Sequence, residues 1–123
     1  MVVCNYETGF KPPEMVKRRL AVVISPKLKN RNELCTVVPL STSSPDPVEG
    51  YHCLIVLPQE PPHPYEGREK WVKADMLATV AYSRLTLPFH KAERNRPRRS
   101  VQMRIQGEQF EQIMTCVRRA LGI

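Results

Sequence analysis

The residues with the clearest chemical potential lie between Glu14 and Thr42. Arg19 ends a charged run and precedes the apolar residues 20–24, whereas Ser41 and Thr42 follow a second apolar segment. If the two apolar segments are neighbouring strands, their ends bring a guanidinium close to two hydroxyl groups. A cation beside hydrogen-bond donors suits a phosphate group, because charge-assisted hydrogen bonds stabilise the phosphate oxygens.

Cleavage of RNA is a reaction that these residues could catalyse. The ribose 2′-hydroxyl attacks its neighbouring phosphate, so the enzyme must accept a proton, stabilise the phosphoryl oxygens and protonate the leaving 5′-oxygen. Arg19 is the strongest candidate, since a guanidinium stays charged and forks onto two oxygens. Glu14 could accept the 2′-hydroxyl proton or orient Arg19. The alternatives are a surface ion pair for Arg19, a solvated Glu14, and a turn in which Ser41 and Thr42 bond their own backbone.

A second group of candidates lies within residues 71–76, where apolar side chains alternate with other types. We expect a strand in which Trp71, Lys73 and Asp75 share the face opposite the apolar one. Lys73 and Asp75 are then candidates for the catalytic site or for a surface ion pair. Trp71 could stack an unpaired base, or it could be a core or interface aromatic residue.

Positive charge concentrates in residues 90–99. The chain has a net charge of +7, and this segment carries five basic residues against one acidic residue. Such a balance favours a polyanionic partner, RNA or DNA, although ordinary surface charge is the alternative. The basic residues that we expect to bind RNA flank Arg19 or lie in this segment: Lys17, Arg18, Arg96, Arg98 and Arg99.

Short apolar runs indicate the strands that would position these side chains. The predicted extended segments are residues 1–6, 20–24, 35–40, 51–57, 71–76, 77–82 and 101–105. Between them, the proline-rich residues 58–70 are a binding loop or, slightly favoured, a connector. Apolar residues from Phe110 to Leu121 follow helical spacing, and Gly122 is a suitable stop. We therefore predict one domain, residues 1–123, that is mainly β with a strongly bent sheet and a C-terminal α-helix.

The sequence argues against several other classes of protein. No apolar run approaches the roughly 20 residues that a membrane span needs, and the N-terminus lacks a signal-peptide pattern. The four cysteines are widely spaced without a Cys-x-x-Cys pair, which predicts reduced core thiols and a cytoplasmic location. Metal-ligand spacings, clustered carboxylates and glycine-rich phosphate loops are missing, so we expect neither a metal nor a cofactor.

The order of the candidate residues resembles the MazF/PemK family of toxin ribonucleases. The residues that carry the resemblance come from both groups: Glu14, Arg19, Ser25-Pro26, Ser41-Thr42 and residues 71–75. Three positions depart from the pattern. Leu20 stands where the family usually has proline, Ser41 where it usually has threonine, and Lys73 where one branch has arginine.

The resemblance implies an SH3-like barrel, usually a homodimer, with metal-independent endoribonuclease activity on single-stranded RNA. The products would be a 2′,3′-cyclic phosphate and a 5′-hydroxyl. A cognate antitoxin, often an acidic or partly disordered segment, would fill the groove. Because of the three departures, a non-catalytic module that binds nucleic acid or protein is the main alternative. A gyrase-directed toxin on a related fold is another.

Overall fold

A computed structural model describes all residues, 1–123, of the chain. The main antiparallel sheet has seven strands: β1 (Val2–Asn5), β2 (Arg18–Val23), β3 (Leu34–Ser41), β4 (His52–Val56), β5 (Glu69–Lys73), β6 (Ala78–Ala81) and β7 (Leu85–Thr86). A separate hairpin pairs β8 (Phe89–His90) with β9 (Arg99–Ser100), and the helix α1 spans Gly107–Leu121. The predicted fold class, mainly β with a C-terminal helix, is confirmed.

The long strand β3 organises the sheet. The strand order is β4-β5-β3-β2-β1-β7, and β6 also pairs with β3. One edge of β3 is shared, because residues 34–37 pair with β6 whereas residues 40–41 pair with β5. The end strands β4 and β7 do not pair with each other. The barrel that the resemblance implied is therefore open, although the architecture is otherwise the expected one.

The two faces of the sheet are buried in different ways. One face, which we call the helix face, packs against α1 through a cluster that includes Leu20, Val22, Leu40, Val72, Ile113 and Val117. The opposite face, which we call the outer face, carries a smaller cluster formed by Cys4, Tyr6, Ala21, Cys35, Val37 and Val80. Since side chains alternate along a strand, each residue of β1–β5 can be assigned to one of these faces.

The edge strand β4 is less buried than its sequence predicts. Ile55 is buried on the helix face, but Leu54 and Val56 are 42% and 43% exposed on the outer face. The amide of Gln109 in α1 covers part of the free edge. It accepts a hydrogen bond from the Val56 N–H at 3.1 Å and donates one to the Val56 carbonyl at 3.0 Å. A helix side chain thus takes the place of a neighbouring strand.

Residues 101–105 keep the predicted alternation but do not form a strand. Val101 and Met103 are buried, and Gln102 and Arg104 are exposed. The segment is not paired with any strand of the sheet. The burial pattern was therefore predicted correctly, whereas the strand was wrong, because period-two burial also arises when an extended segment lies over a core.

The helix α1 ends where the sequence predicts. Gly122 adopts a left-handed conformation with φ of 74°, and the N–H of Ile123 donates to the Arg118 carbonyl at 2.9 Å. Ile113 and Val117 are buried as expected, but Leu121 is 55% exposed and lies outside the apolar face. Neither this helix nor the short helical turns combine the length and hydrophobicity of a transmembrane segment.

Replacing Gly122 with alanine should destabilise the protein, because a Cβ is strained at this left-handed position. We expect a loss of about 1 kcal/mol in the free energy of unfolding, or about 4 °C in the midpoint of thermal unfolding. Gly107→Ala at the other end of α1 is the control, since Gly107 has no positive φ and open space around its Cβ position. Equal effects of the two substitutions would contradict this account.

Candidate functional site

Arg18 and Arg19 begin β2 and project to opposite faces of the sheet. Arg19 pairs with Cys4 of β1, whose side chain belongs to the outer-face cluster. The next residue, Leu20, belongs to the helix-face cluster. By strand alternation, Arg19 therefore lies on the outer face and Arg18 on the helix face. The first two residues of β2 thus present one guanidinium to each face of the sheet.

The two candidate hydroxyl groups, like the two arginines, lie on opposite faces of the sheet. When the β2–β3 register is extended to the strand ends, Ser41 stands opposite Arg19 and Thr42 stands opposite Arg18. Ser41 is only 4% exposed, and its Oγ accepts a hydrogen bond from the Ser43 N–H at 3.1 Å. Thr42 is exposed. The sequence did not indicate which of these hydroxyl groups acts in the site. In the fold, each hydroxyl lies opposite a different arginine.

The Arg19 side chain has no acidic partner. It is half-buried, it takes part in no ion pair, and its Nε is buried without a hydrogen-bond partner. The hydroxyl of Tyr6, on the same face, is likewise buried without a partner, since the neighbouring Cys4 thiol is only a weak hydrogen-bonding group. An unsatisfied buried donor costs free energy, which a bound anion would recover. The surface ion pair considered for Arg19 is absent.

Both candidate carboxylates line one cavity on the outer face. Glu14 and Asp75 border a space of about 440 Å³ together with Tyr6, Phe10 and Met15. The phenol of Tyr6 stays neutral there, because burial raises its pKa far above the ordinary value. Glu14 lies in an exposed loop, where its carboxylate accepts a hydrogen bond from the Lys11 N–H at 3.3 Å. Two acids that are distant in the sequence therefore share one space.

The strand that carries Lys73 is shorter than predicted, although Asp75 lies on the outer face with Lys73 as expected. β5 ends at Lys73, and residues 74–76 form a 3₁₀ turn. Asp75 therefore lies in the turn rather than in the strand, but its carboxylate is close to His52, the residue of β4 that pairs with Lys73. Lys73 is half-buried and forms no ion pair with Asp75.

The partner of Asp75 is His52, to which the sequence assigned no role. The His52 Nε2 lies 3.7 Å from the Asp75 carboxylate, and the His52 side chain is only 8% exposed. Its Nδ1 accepts a hydrogen bond from the Glu49 N–H at 3.0 Å, which assigns the proton of the neutral ring to Nε2. His52 thereby directs an N–H toward Asp75. The β4–β5 register creates this pair, and nothing in the local sequence indicates it.

Trp71 extends the outer-face row across the sheet. It pairs with Ser41 of β3 on one side and with Leu54 of β4 on the other. Adjacent strands lie about 4.8 Å apart, so Trp71 is about 10 Å from Arg19 along this row. The indole is half-buried, and Leu54 beside it is exposed. A partly exposed aromatic ring at this distance from Arg19 fits an unpaired base next to a bound phosphate.

The helix-face side of the strand ends forms a second, smaller cavity. It has a volume of about 170 Å³, and its lining includes three residues predicted from the sequence, Lys17, Arg18 and Thr42. Arg19 also borders it, so the two sites adjoin. Lys70 and Tyr65 also line it and were not predicted. Tyr65 lies in the proline-rich segment, so that segment forms part of the cavity wall.

Residues 90–99, which carry the five basic side chains, are all exposed and lie within the hairpin formed by β8 and β9. The backbones of Glu93 and Arg96 form an antiparallel β-bridge at the tip of the hairpin. The guanidinium carbon of Arg98 lies 3.8 Å from the centre of the Phe89 ring, a cation–π contact that orients Arg98 without neutralising it. The hairpin thus presents several cations to solvent on an ordered support.

Comparisons with known proteins agree with this architecture. Residues 1–121 match the profile of the family described as "PemK-like, MazF-like toxin of type II toxin-antitoxin system". The Mycobacterium tuberculosis toxin MazF-mt6 superposes with a TM-score of 0.59 at 10% identity, covering 100% of this chain and 98% of that one. MazF (Form-I) from Deinococcus radiodurans gives 0.61 at 18% identity, covering 99% and 93%. At such identities these structures establish the fold alone.

Two relatives match more closely in sequence over part of their length. An uncharacterized protein of Haemophilus influenzae is 38% identical over 82 residues, which are 63% of this chain and 54% of that protein. The putative uncharacterized protein YifN of Escherichia coli is 36% identical over 84 residues, or 66% and 55%. The chain thus spans about half the length of the curated relatives it matches. Because the family profile covers nearly all of the sequence, the chain belongs to the PemK-like, MazF-like toxins of type II toxin-antitoxin systems.

Proposed function

We propose that this protein is an endoribonuclease that cleaves single-stranded RNA by attack of a ribose 2′-hydroxyl on the adjacent phosphate. The observation that carries the proposal is Arg19, a half-buried cation without an acidic partner whose Nε lacks a hydrogen-bond acceptor. A phosphate is the ligand that such a group suits, since its oxygens accept from the guanidinium in a bidentate manner. Membership of a toxin family known for RNA cleavage supports the same reaction.

The outer face supplies groups for each part of the reaction. Arg19 and the Ser41 hydroxyl stabilise charge on the phosphoryl oxygens while the bond from the 2′-oxygen to phosphorus forms and the bond to the 5′-oxygen breaks. Glu14 accepts the proton of the 2′-hydroxyl, and Lys73 donates a proton to the 5′-oxygen. Asp75, whose carboxylate lies 3.7 Å from the His52 Nε2, orients the ribose. The products are a 2′,3′-cyclic phosphate and a 5′-hydroxyl.

Selection for single strands would follow from Trp71. A base can stack on its ring only when it is free of its pairing partner. The exposed Leu54 beside Trp71 extends the apolar surface on which that base rests. An antitoxin and a second copy of this chain are the protein partners that the family suggests. Both would be expected to cover part of the outer face.

The proposed chemistry should not need a metal ion, since side chains supply the cation, the base and the acid. We expect the purified chain to cut single-stranded RNA in excess EDTA at an undiminished rate. Chromatography of the products should yield 2′,3′-cyclic phosphate ends. Activity that disappears with EDTA and returns with Mg²⁺ would contradict the metal-free mechanism.

One observation favours the alternative of a binding module without catalysis. Ser41 is almost fully buried, so little of its hydroxyl is accessible to a substrate phosphate. The same assay separates the two functions. RNA that binds but stays intact over long incubation would support the module.

A further inference from the structure

We propose that the helix-face cavity at the strand ends, formed by Lys17, Arg18, Thr42, Tyr65 and Lys70, is a second phosphate-binding site. It adjoins the outer face, on which Ser41 lies, and Arg19 borders it at that side. The chemical group is a phosphate, supplied either by the RNA strand or by a free phosphate compound. The RNA source rests on the proposed function, whereas phosphate binding itself does not.

The main observation is a buried cation without a counterion. Lys70 is only 3% exposed, and its ammonium donates to the Tyr65 carbonyl at 2.9 Å and to the Glu66 carbonyl at 3.1 Å. No carboxylate lies within ion-pair distance of it. An ammonium has three protons, so one donor remains uncommitted. Buried charges are normally paired, and an unpaired one that borders a cavity indicates an anionic ligand.

The lining of the cavity is entirely without acidic residues. Lys17 and Arg18 add two cations to that of Lys70, and the side chains of Thr42 and Tyr65 carry hydroxyl groups. Arg18 is only partly neutralised, by an exposed pair with Glu7 at 3.5 Å. Exposed pairs of this kind contribute little and exchange readily for a stronger acceptor. A volume of about 170 Å³ accommodates a small oxyanion rather than an extended ligand.

The carboxylates near Lys70 do not take the place of an anion in the cavity. Glu60 and Glu66 lie close enough to act on the lysine through space, but neither borders the cavity. Burial lowers the pKa of Lys70 despite them. A phosphate in the cavity would oppose that shift by favouring the charged ammonium.

The position of the cavity suggests how a strand of RNA would use it. Arg18 and Arg19 are consecutive in the sequence but face opposite sides of the sheet, and Arg19 borders the cavity as well. An RNA strand that crosses the end of the sheet can therefore place one phosphate at Arg19 and a neighbouring one beside Arg18. The second contact would fix the register of the strand without taking part in bond breaking.

The test is a titration of the ¹⁵N-labelled chain with inorganic phosphate at constant ionic strength. We expect saturable shifts of the backbone amides of Thr42, Tyr65 and Gly67. The double variant Lys17→Gln/Arg18→Gln should weaken the fitted affinity about tenfold, because two charge-assisted contacts are lost. Lys27→Gln/Lys29→Gln removes the same charge from exposed loop residues outside the cavity, and its affinity should stay within twofold. Thr42→Val provides an independent variant at an exposed position.

A second titration, with single-stranded RNA, identifies the source of the phosphate. It uses RNA with 2′-O-methyl riboses, which lack the attacking hydroxyl, so that the RNA remains intact and Arg19 stays in place. If RNA moves the same amides and inorganic phosphate competes with it, the strand occupies the site. If inorganic phosphate alone moves them, the site binds a free phosphate compound. The proposal would be overturned if the amide shifts did not saturate with phosphate. It would also be overturned if the fitted affinity for phosphate fell equally in both double variants. Loss of RNA cleavage would leave the phosphate titration unchanged, so the two proposals fail separately.

Discussion

Arg19→Ala should reduce the rate of RNA cleavage by on the order of a hundredfold or more, the usual cost of removing a donor that stabilises transition-state charge. Alanine leaves the phosphate with no cation on the outer face of β2. The effect should appear in the single-turnover rate at saturating RNA, since it arises after binding. Stopped reactions resolved on denaturing gels measure this rate directly.

The fold should survive the substitution. Arg19 is the second residue of β2 and is half-buried rather than fully exposed, but it forms no ion pair, and its Nε has no hydrogen-bond partner to lose. Circular dichroism and the thermal midpoint therefore provide the check on folding. Arg31→Ala, at an exposed loop position, is the matched control for the loss of one positive charge. An Arg19→Ala protein that folds and cuts RNA at the normal rate would remove Arg19 from the mechanism.

The strands and the candidate cation could be predicted because they depend on local sequence. Unbroken apolar runs located β2 and β3, and helical spacing with Gly122 located α1. Ser25, part of the resemblance, proves to have a structural role. Its hydroxyl accepts a hydrogen bond from the Thr36 N–H at 2.9 Å, which ties the segment after β2 to β3.

The distribution of the site between two faces could not be predicted, because it depends on register between distant strands. Ser41 and Thr42 are equivalent in sequence until β3 is aligned with β2, and one residue of offset exchanges their faces. The end of β5 was misplaced, because a 3₁₀ turn replaces the predicted strand after Lys73. Lys70 gave no signal, since its burial results from the proline-rich segment folding back over β5.

The second large effect is expected from the basic hairpin. Replacing Arg96, Arg98 and Arg99 simultaneously with glutamine should weaken the binding of single-stranded RNA by about a hundredfold at 0.1 M salt. All three side chains are exposed, and the hairpin of β8 and β9 holds them on an ordered support. Each phosphate contact releases counterions, so three lost contacts should lower the slope of log affinity against log salt by about 2. Extrapolated to 1 M salt, the RNA affinities of the triple variant and the unsubstituted protein should converge.

These arginines should not affect which sequence is cut, because contacts with phosphates carry no base information. The control is Lys27→Gln/Lys29→Gln/Arg31→Gln, which removes the same charge from another exposed loop. If the excess charge acts only through the general field of the protein, the two triple variants will show equal losses. If the arginines instead pair with acidic groups of a second copy, the salt slope will persist and the mass in solution will fall. Binding isotherms at several salt concentrations, with the mass measured by light scattering, therefore decide whether the hairpin binds RNA.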